Sequence, residues 1–314
     1  MLPVSVIILV GERRERATSA LKSVLDQRGS EKIEIIILDA SPQLEKLAGA
    51  DDERVKVVSV SRKLNIGQMK ERGVRVAKGK IIAFLEEHCI AHSNWLCSII
   101  EAHKGNYIGV GGEVHKRNPG ERFCDAIHIN NYGRWIYPAK RQEEILLPGH
   151  NSTYKSEFLR SLENLSIYLE CEALLQWKAI NSGYKLLLDP SIKFSHLNES
   201  NVKVIWQGYY SWHKSFGYYR SKVYQWGVLY RVFNLLIFPV RPFIRIAKMW
   251  LAVKSKVNKW RFLNLFLQLL LIQFFSSLGI GMGACFGISE KSRLNLIANE
   301  IDLKRSKLDD SFKK

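Results

Sequence analysis

The chain has 314 residues with 47 Lys and Arg against 30 Asp and Glu, a formal charge of +17, and 46% of its residues are hydrophobic. That length excludes a long array of domains and suits one large α/β domain, alone or with an appendage. The apolar content excludes wholesale disorder, because it suffices for a sizeable core. A basic excess of this size points to nucleic acid, an anionic membrane or a phosphorylated substrate, and the position of the charge separates the three.

Val4 to Val10, VSVIILV, is a run apolar at every position but Ser5 that predicts a strand, followed by a polar turn at Gly11-Glu12-Arg13 and a helix over about Thr18 to Gln27. Further strands are expected at Ile33 to Leu38, ending in Asp39-Ala40-Ser41, and at Val55 to Val60, before Asn65-Ile66-Gly67. After a helix over Met69 to Ala77, a fourth strand is expected at Lys80 to Leu85, ending in Glu86-Glu87-His88. Apolar strands alternating with helices imply a mostly parallel sheet buried on both faces. In such sheets ligands bind beyond the carboxyl ends of the strands, where Asp39 and Glu86 to His88 fall. Residues 105 to 195 read as mixed, with a strand at Tyr107 to Val110, a helix near Glu170 to Ser182 stopped by Gly183, and a strand at Lys185 to Leu188. Five cysteines, Cys89, Cys97, Cys124, Cys171 and Cys285, form no CxxC pair and suggest neither a disulfide framework nor a zinc ribbon. The reducing cytosolic side is the compartment they fit. No basic n-region or cleavage site precedes the first strand, so the N-terminal part is expected in the cytoplasm.

Residues 1 to 200 hold 28 basic and 25 acidic side chains, whereas residues 201 to 314 hold 19 and 5. The excess therefore belongs to the C-terminal third. Residues 201 to 289 contain twelve Lys or Arg, no Asp or Glu, and aromatic residues throughout. Within them, 201–225 reads as a basic aromatic collar and 226–289 as membrane-associated helices, followed by a basic polar tail over 290–314. Segment 226–253 is apolar but carries Arg231, Arg241, Arg245 and Lys248 and is broken by Pro239 and Pro242, the pattern of an interfacial or kinked helix. Segment 262–289 is free of charge and longer than the roughly 20 residues that cross a bilayer core, with Gly279, Gly281 and Gly283 expected to loosen its C-terminal half. It reads as a span or re-entrant helix. The alternative for this region is a buried helical hairpin of a soluble protein.

The sheet-forming part, over roughly residues 3 to 200, resembles a family 2 glycosyltransferase of the GT-A fold, a Rossmann-like, mostly parallel sheet flanked by helices. VSVIILVGERR followed by Ser23-Val24-Leu25-Asp26-Gln27 is similar to that family's opening strand and helix. ILDAS is similar to the end of its second strand, with Ala40 where a second Asp is usual. Gly79-Lys80-Ile81-Ile82-Ala83-Phe84-Leu85-Glu86-Glu87-His88, followed by Asn94-Trp95-Leu96, resembles the strand that ends in the family's D-x-D, with Glu86 and His88 at the two acidic positions. The resemblance implies that Val10, Glu12, Asp39, Asn65, Gly67, Lys70 or Arg72, Glu86 and Glu87 hold a nucleotide-diphosphate sugar. It also implies that Glu86, His88 and His196, the last following Asp189-Pro190, hold a divalent cation, Mn²⁺ or Mg²⁺, against the diphosphate. Imidazole in place of an oxygen ligand shifts that preference toward Mn²⁺ or another transition metal. Glu172 stands eleven residues before Gly183-Tyr184, with Trp177-Lys178 between, where the family carries its general base. Glu170 is the rival, and on one continuous helix the two cannot share a face. Gly111-Gly112 and Gly149-His150-Asn151 are similar to the family's acceptor-side segments, so His150 and Asn151 either meet the acceptor or cap the next helix. Trp135 and Tyr137 are either stacking platforms for a sugar or ordinary packing.

The function this implies is an inverting, metal-dependent glycosyltransferase. It would move a sugar from a UDP or GDP donor to a lipid-linked or envelope-polysaccharide hydroxyl at the inner, cytoplasmic membrane, with the catalytic part facing the cytoplasm and the basic part on anionic lipids. The altered Glu-Glu-His, Ala40 and the stretch Glu170-Cys171-Glu172, which lacks the Glu-Asp pair usual in that family beside its base, motivate another reading, a catalytically degenerate relative that binds nucleotide or glycan at the membrane. Nucleic acid is not expected as a partner, because no recognition module is present and the cations sit beside long apolar runs.

Overall fold

The computed structural model describes residues 3–29, 32–41, 47–118, 122–149, 151–198 and 202–301. In chain order the first part comprises β1 (Val4–Val10), α1 (Arg14–Leu25), β2 (Glu34–Asp39), β3 (Val55–Ser59), α2 (Ile66–Val76), β4 (Ile81–Glu86), β5 (Cys89–Ala91) and α3 (Trp95–Ala102). It continues with β6 (Gly109–Lys116), α4 (Arg122–Tyr132), β7 (Gln142–Glu144), β8 (Thr153–Lys155), α5 (Ser156–Ser161), α6 (Leu165–Glu170), α7 (Glu172–Asn181) and β9 (Leu186–His196). Every residue of β1 and β2 is buried, as strands covered by helices on both faces require. The strands form one sheet in the order β3-β2-β1-β4-β8-β6-β9-β5, with β7 on β9. β3, β2, β1 and β4 run parallel, whereas β8 opposes both β4 and β6. Val10 pairs with Asp39 and Leu9 with Glu86, so the carboxyl ends of β2 and β4 flank that of β1 at one edge of the sheet.

The helix expected over Glu170 to Ser182 is two helices. Cys171 adopts φ −132° and ψ 78° and breaks the chain between α6 and α7. The strands expected at Tyr107 to Val110 and Lys185 to Leu188 are the starts of the longer β6 and β9, whose parallel pairing is interrupted by a bulge after Gly112.

The later part is helical: α8 (Val202–Val223), α9 (Val228–Leu236), α10 (Arg241–Val253), α11 (Lys259–Asn264), α12 (Phe266–Phe286) and α13 (Glu290–Ile301). Within the described residues, one compact unit runs to Arg117 and resumes over Tyr137–Leu197, and the other joins Asn118–Ile136 to the chain from Asn198 onward. Inside the stretch read from sequence as one domain, α4 thus packs with the C-terminal helices. The reason is apolar: Ala126, Ile127 and Ile129 bury against Ile246, Val253, Phe262, Leu269 and Ile272. Gly279, Gly281 and Gly283 do not loosen α12, which is regular to Phe286. They are packing surfaces instead: a Cβ on Gly279 or Gly283 would overlap the backbone of α8, and one on Gly281 that of α9. Gly217 of α8 meets Ile280 in the same way. α12 has the length and composition to cross a membrane, and more than half of it is covered by protein.

Candidate active site

The carboxyl edge of β1, β2 and β4 gathers the polar residues singled out in the sequence. Asp39 ends β2 with its carboxylate 2.7 Å from Arg14 Nη2 and accepting from the Ser41 N–H at 2.9 Å. Val10 is buried, and its carbonyl accepts from the Ala40 N–H. Glu12 is exposed and 3.6 Å from Arg62, whose Nε–H donates to the Ala40 carbonyl at 2.6 Å. Adjacent parallel strands lie about 4.8 Å apart, which puts the ends of β2 and β4 roughly 10 Å from each other, room for an elongated polar ligand.

Glu86 ends β4. One of its oxygens accepts from Asn151 Nδ2 at 2.8 Å, and its backbone N–H donates to Asn151 Oδ1 at 3.1 Å. Asn151 is thereby held on Glu86 and does not cap the next helix, which has no side-chain cap. His150 lies outside the described residues. Glu86 Oε2 is 3.6 Å from His88 Nε2 and 3.4 Å from His196 Nε2, and the two Nε2 atoms are 2.9 Å apart. Behind His88, its Nδ1 meets Glu87 Oε2 at 2.7 Å, and Glu87 is 3.3 Å from Arg16, with both charges almost fully buried. Glu87, expected at the nucleotide, is instead the buried orienting partner of His88. With Nδ1–H given to this carboxylate, His88 carries its lone pair on Nε2, the arrangement by which a buried carboxylate orients a metal-binding imidazole.

Cys89 completes the group. Glu86, His88, Cys89 and His196 offer one carboxylate oxygen, two imidazole nitrogens and one sulfur, all within 4.8 Å of one another. Cys89 opens β5, where it pairs directly with His196 of β9. Directly opposed residues bring their side chains together, and this antiparallel pairing joins residues more than a hundred positions apart. Sequence reasoning counted Cys89 among unpaired thiols. The available signal was its position immediately after Glu86-Glu87-His88.

The other candidates gather on α2. Asn65 caps that helix in a reciprocal capping box with Gln68. A Cβ on Gly67 would overlap the Ser166 carbonyl, so glycine is what lets α6 approach. The Gly67 N–H donates to Glu170 Oε2 at 2.7 Å, and Lys70 Nζ pairs with Glu172 Oε1 at 2.8 Å, both buried. Arg72 is exposed, so Lys70 is the cation that α2 turns to this cluster. The expectation that Glu170 and Glu172 face apart fails, because the break at Cys171 removes the helical periodicity on which it rested. Both carboxylates reach α2, Glu170 on a backbone amide and Glu172 on an ammonium. Gly149 lies against the Glu172 carboxylate, since a Cβ there would meet Oε2 at 3.4 Å, in ordinary van der Waals contact.

Asp189 is paired with Arg141 at 3.0 Å. Burial opposes its ionisation, but hydrogen bonds from Ser191 and Arg141 outweigh it and hold the carboxyl below its ordinary range. Trp135 is buried and Tyr137 is 64% exposed, so of these two only Tyr137 offers an open ring face.

The family model described as "Glycosyl transferase family 2" matches residues 5–163, just over half of the chain. No curated protein matches it.

Proposed function

The chain belongs to glycosyl transferase family 2, and on that premise we propose that it is an inverting transferase in which Glu172 is the general base and Glu86, His88, Cys89 and His196 hold a divalent transition-metal ion. The coarser statements follow from the family itself: the fold is GT-A, the activity is glycosyl transfer, and the reactants are a nucleotide sugar and an acceptor. The observation that carries the finer reading is the convergence of Glu86, His88, Cys89 and His196 beside β1 at the carboxyl edge of the sheet.

The residues fit a bound cation. Two imidazoles whose Nε2 atoms face one another across a carboxylate need a proton or a metal between them, and oxygen, nitrogen and sulfur donors together suit Mn²⁺, Fe²⁺, Co²⁺ or Zn²⁺ better than Mg²⁺. A divalent ion there supplies positive charge against the negative charge that develops on a diphosphate leaving group. The donor, a UDP or GDP sugar, is proposed to lie with its nucleoside toward Asp39 and its diphosphate toward Glu86. Val10, Glu12, Asn65 and Gly67 shape that edge, Lys70 sets Glu172, and Asn151 sets Glu86. In a single displacement the acceptor oxygen bonds to the anomeric carbon and the bond to the β-phosphate oxygen breaks with its electron pair leaving on phosphate. Glu172 takes the hydroxyl proton. Glu170 already accepts from the Gly67 amide, which favours Glu172 for this role.

The acceptor is proposed to be a lipid-linked or envelope saccharide at the cytoplasmic face of the inner membrane. Support comes from the acid-free stretch 201–289 and from exposed Leu229, Phe233, Leu236, Phe243 and Trp260. The covering of α12 by α8, α9 and α10 favours seating of the outer helix faces at the interface over a lone spanning helix.

The test is release of nucleoside diphosphate from a panel of sugar nucleotides with Mn²⁺, Co²⁺, Zn²⁺ or Mg²⁺. Metal-dependent release that Glu172→Gln removes is expected. Nucleotide binding indifferent to metal, with no turnover for any donor, would instead establish a non-catalytic binding protein.

A further inference from the structure

The loop between β7 and β8 enters the transferase reading only through Asn151, yet it is tied to the helix that carries the proposed base. Gln176 stands four residues after Glu172 on α7, so the two side chains share a face of that helix. Gln176 is 1% exposed. Its Oε1 accepts from the Leu147 N–H at 2.9 Å, and its Nε2 donates to the Leu147 carbonyl at 3.3 Å and to the Tyr154 hydroxyl at 3.0 Å. The amide meets the backbone of Leu147 as a neighbouring strand would. Exchanging its oxygen and nitrogen would set acceptor against acceptor and donor against donor, so the backbone fixes its orientation.

The network continues beyond Gln176. Tyr154 is wholly buried on β8, its ring against Gly109, where an added Cβ would overlap it. Burial pushes the Tyr154 phenol up and keeps it protonated, and its hydroxyl is also hydrogen-bonded to Ser152. Ser152 in turn donates to the Pro148 carbonyl. Leu147 and Pro148 are thus fastened by side chains of Gln176 and Ser152, and the next residue, Gly149, lies against the Glu172 carboxylate. On the α2 side Lys70 holds Glu172, and past His150 Asn151 holds Glu86. A buried amide is unfavourable unless its hydrogen bonds are met, and leucine would fill a similar volume without that demand. What the amide adds is direction, because it sets the loop backbone at one place relative to α7. Proton transfer needs that accuracy: donor and base must come within hydrogen-bond reach, and a misplacement of about 1 Å lowers a rate about 100-fold.

We propose that Gln176 is a positioning residue for the transfer: by clamping Leu147 it holds segment 147–149 at a fixed place beside Glu172, so that the acceptor hydroxyl and the base meet in one geometry. The role rests on the reading of Glu172 as the base, and Gln176 acts through the loop without touching the reacting atoms.

The experiment uses the full chain and the sugar nucleotide that the wild type turns over fastest, with nucleoside diphosphate release as the readout. Gln176→Leu should leave the donor KM within about twofold while kcat falls about 10- to 100-fold. Gln176→Glu supplies a signature that packing alone would not. Its protonated acid can accept from the Leu147 N–H and donate to the Leu147 carbonyl, whereas its ionised form sets a negative charge against that carbonyl and near Glu172. Turnover of Gln176→Glu should therefore approach that of wild type at the same acid pH and fall away as pH rises, a descending limb that wild type lacks there. A folded Gln176→Leu with the wild-type kcat, or with a raised donor KM alone, overturns the role. Where Gln176→Leu does not fold, Gln176→Glu decides, and a pH profile parallel to that of wild type over the range in which thermal melts show it folded overturns the role. Absence of turnover in the wild type itself overturns the transferase reading and this role with it. Turnover in the wild type that is unchanged in folded Gln176→Leu overturns this role alone.

Discussion

The Nε2 atoms of His88 and His196 face each other at 2.9 Å, with Glu86 Oε2 within 3.6 Å of both and Glu87 behind His88 at 2.7 Å. Their separation in the chain is closed by the antiparallel pairing of β5 with β9, and the carboxylate that orients His88 is itself neutralised by Arg16. The cluster is therefore built from the sheet and supported from beneath.

Cobalt tests the ligand set directly. Co²⁺ bound by Glu86, His88, Cys89 and His196 should give visible d–d bands and a near-ultraviolet thiolate charge-transfer band. Cys89→Ser should abolish the charge-transfer band while leaving binding, and His88→Ala should weaken binding about 10- to 100-fold. A charge-transfer band unchanged in Cys89→Ser removes the thiol from the site.

The buried pair Lys70 and Glu172 predicts a separation of stability from activity. Lys70→Met leaves an uncompensated buried carboxylate and should lower stability by about 3–5 kcal/mol. Adding Glu172→Gln to Lys70→Met should restore much of that loss, measured by denaturant unfolding. Glu172→Gln alone should reduce turnover about 100- to 10,000-fold, the contribution of a positioned base. Retained turnover in Glu172→Gln would move the role to Glu170.

Gly67→Ala should destabilise the protein by about 1–3 kcal/mol, because the added methyl overlaps the Ser166 carbonyl where α2 meets α6. It should also lower turnover by displacing α6 and α7. Gly283→Ala, on α12 against α8, should cost a similar amount without altering nucleotide binding. Thermal melts and nucleotide titrations distinguish the two.

Stability should fall with acid. Burial, with Lys155 adding, holds His103 down to about 4 from 6.5, and its Nε2 meets Thr153 Oγ1 at 2.7 Å. Thr153 donates its own hydroxyl to the Val110 carbonyl, so it accepts from His103 Nε2–H. Folded His103 is neutral while the unfolded chain binds a proton near pH 6.5, so its contribution is full above pH 6.5 and is lost as pH falls toward 4. The slope is about 1.4 kcal/mol per pH unit for one proton. Unfolding free energies across that range should fall at least this steeply, and His103→Gln should flatten the curve by one proton.

The sequence by itself determined the alternation of apolar strands and helices, because strands buried on both faces need stretches dominated by Val, Ile and Leu, as β1 and β2 have. It also determined that Asp39, Glu86 and His88 stand at strand ends, since a run of apolar residues stops where the sheet does. The concentration of positive charge after residue 200 was equally a matter of counting. Only the tertiary structure decided how distant residues meet. Cys89 joins His196 through strand pairing, Glu170 and Glu172 both turn to α2 because Cys171 breaks the helix, and α4 leaves the sheet for the C-terminal helices. The three glycines of α12 are contact surfaces only once α8 and α9 are beside them. Local pattern reports which residues an element buries and where it ends. Which partner it buries them against depends on contacts across the chain, and those set the chemistry of this site.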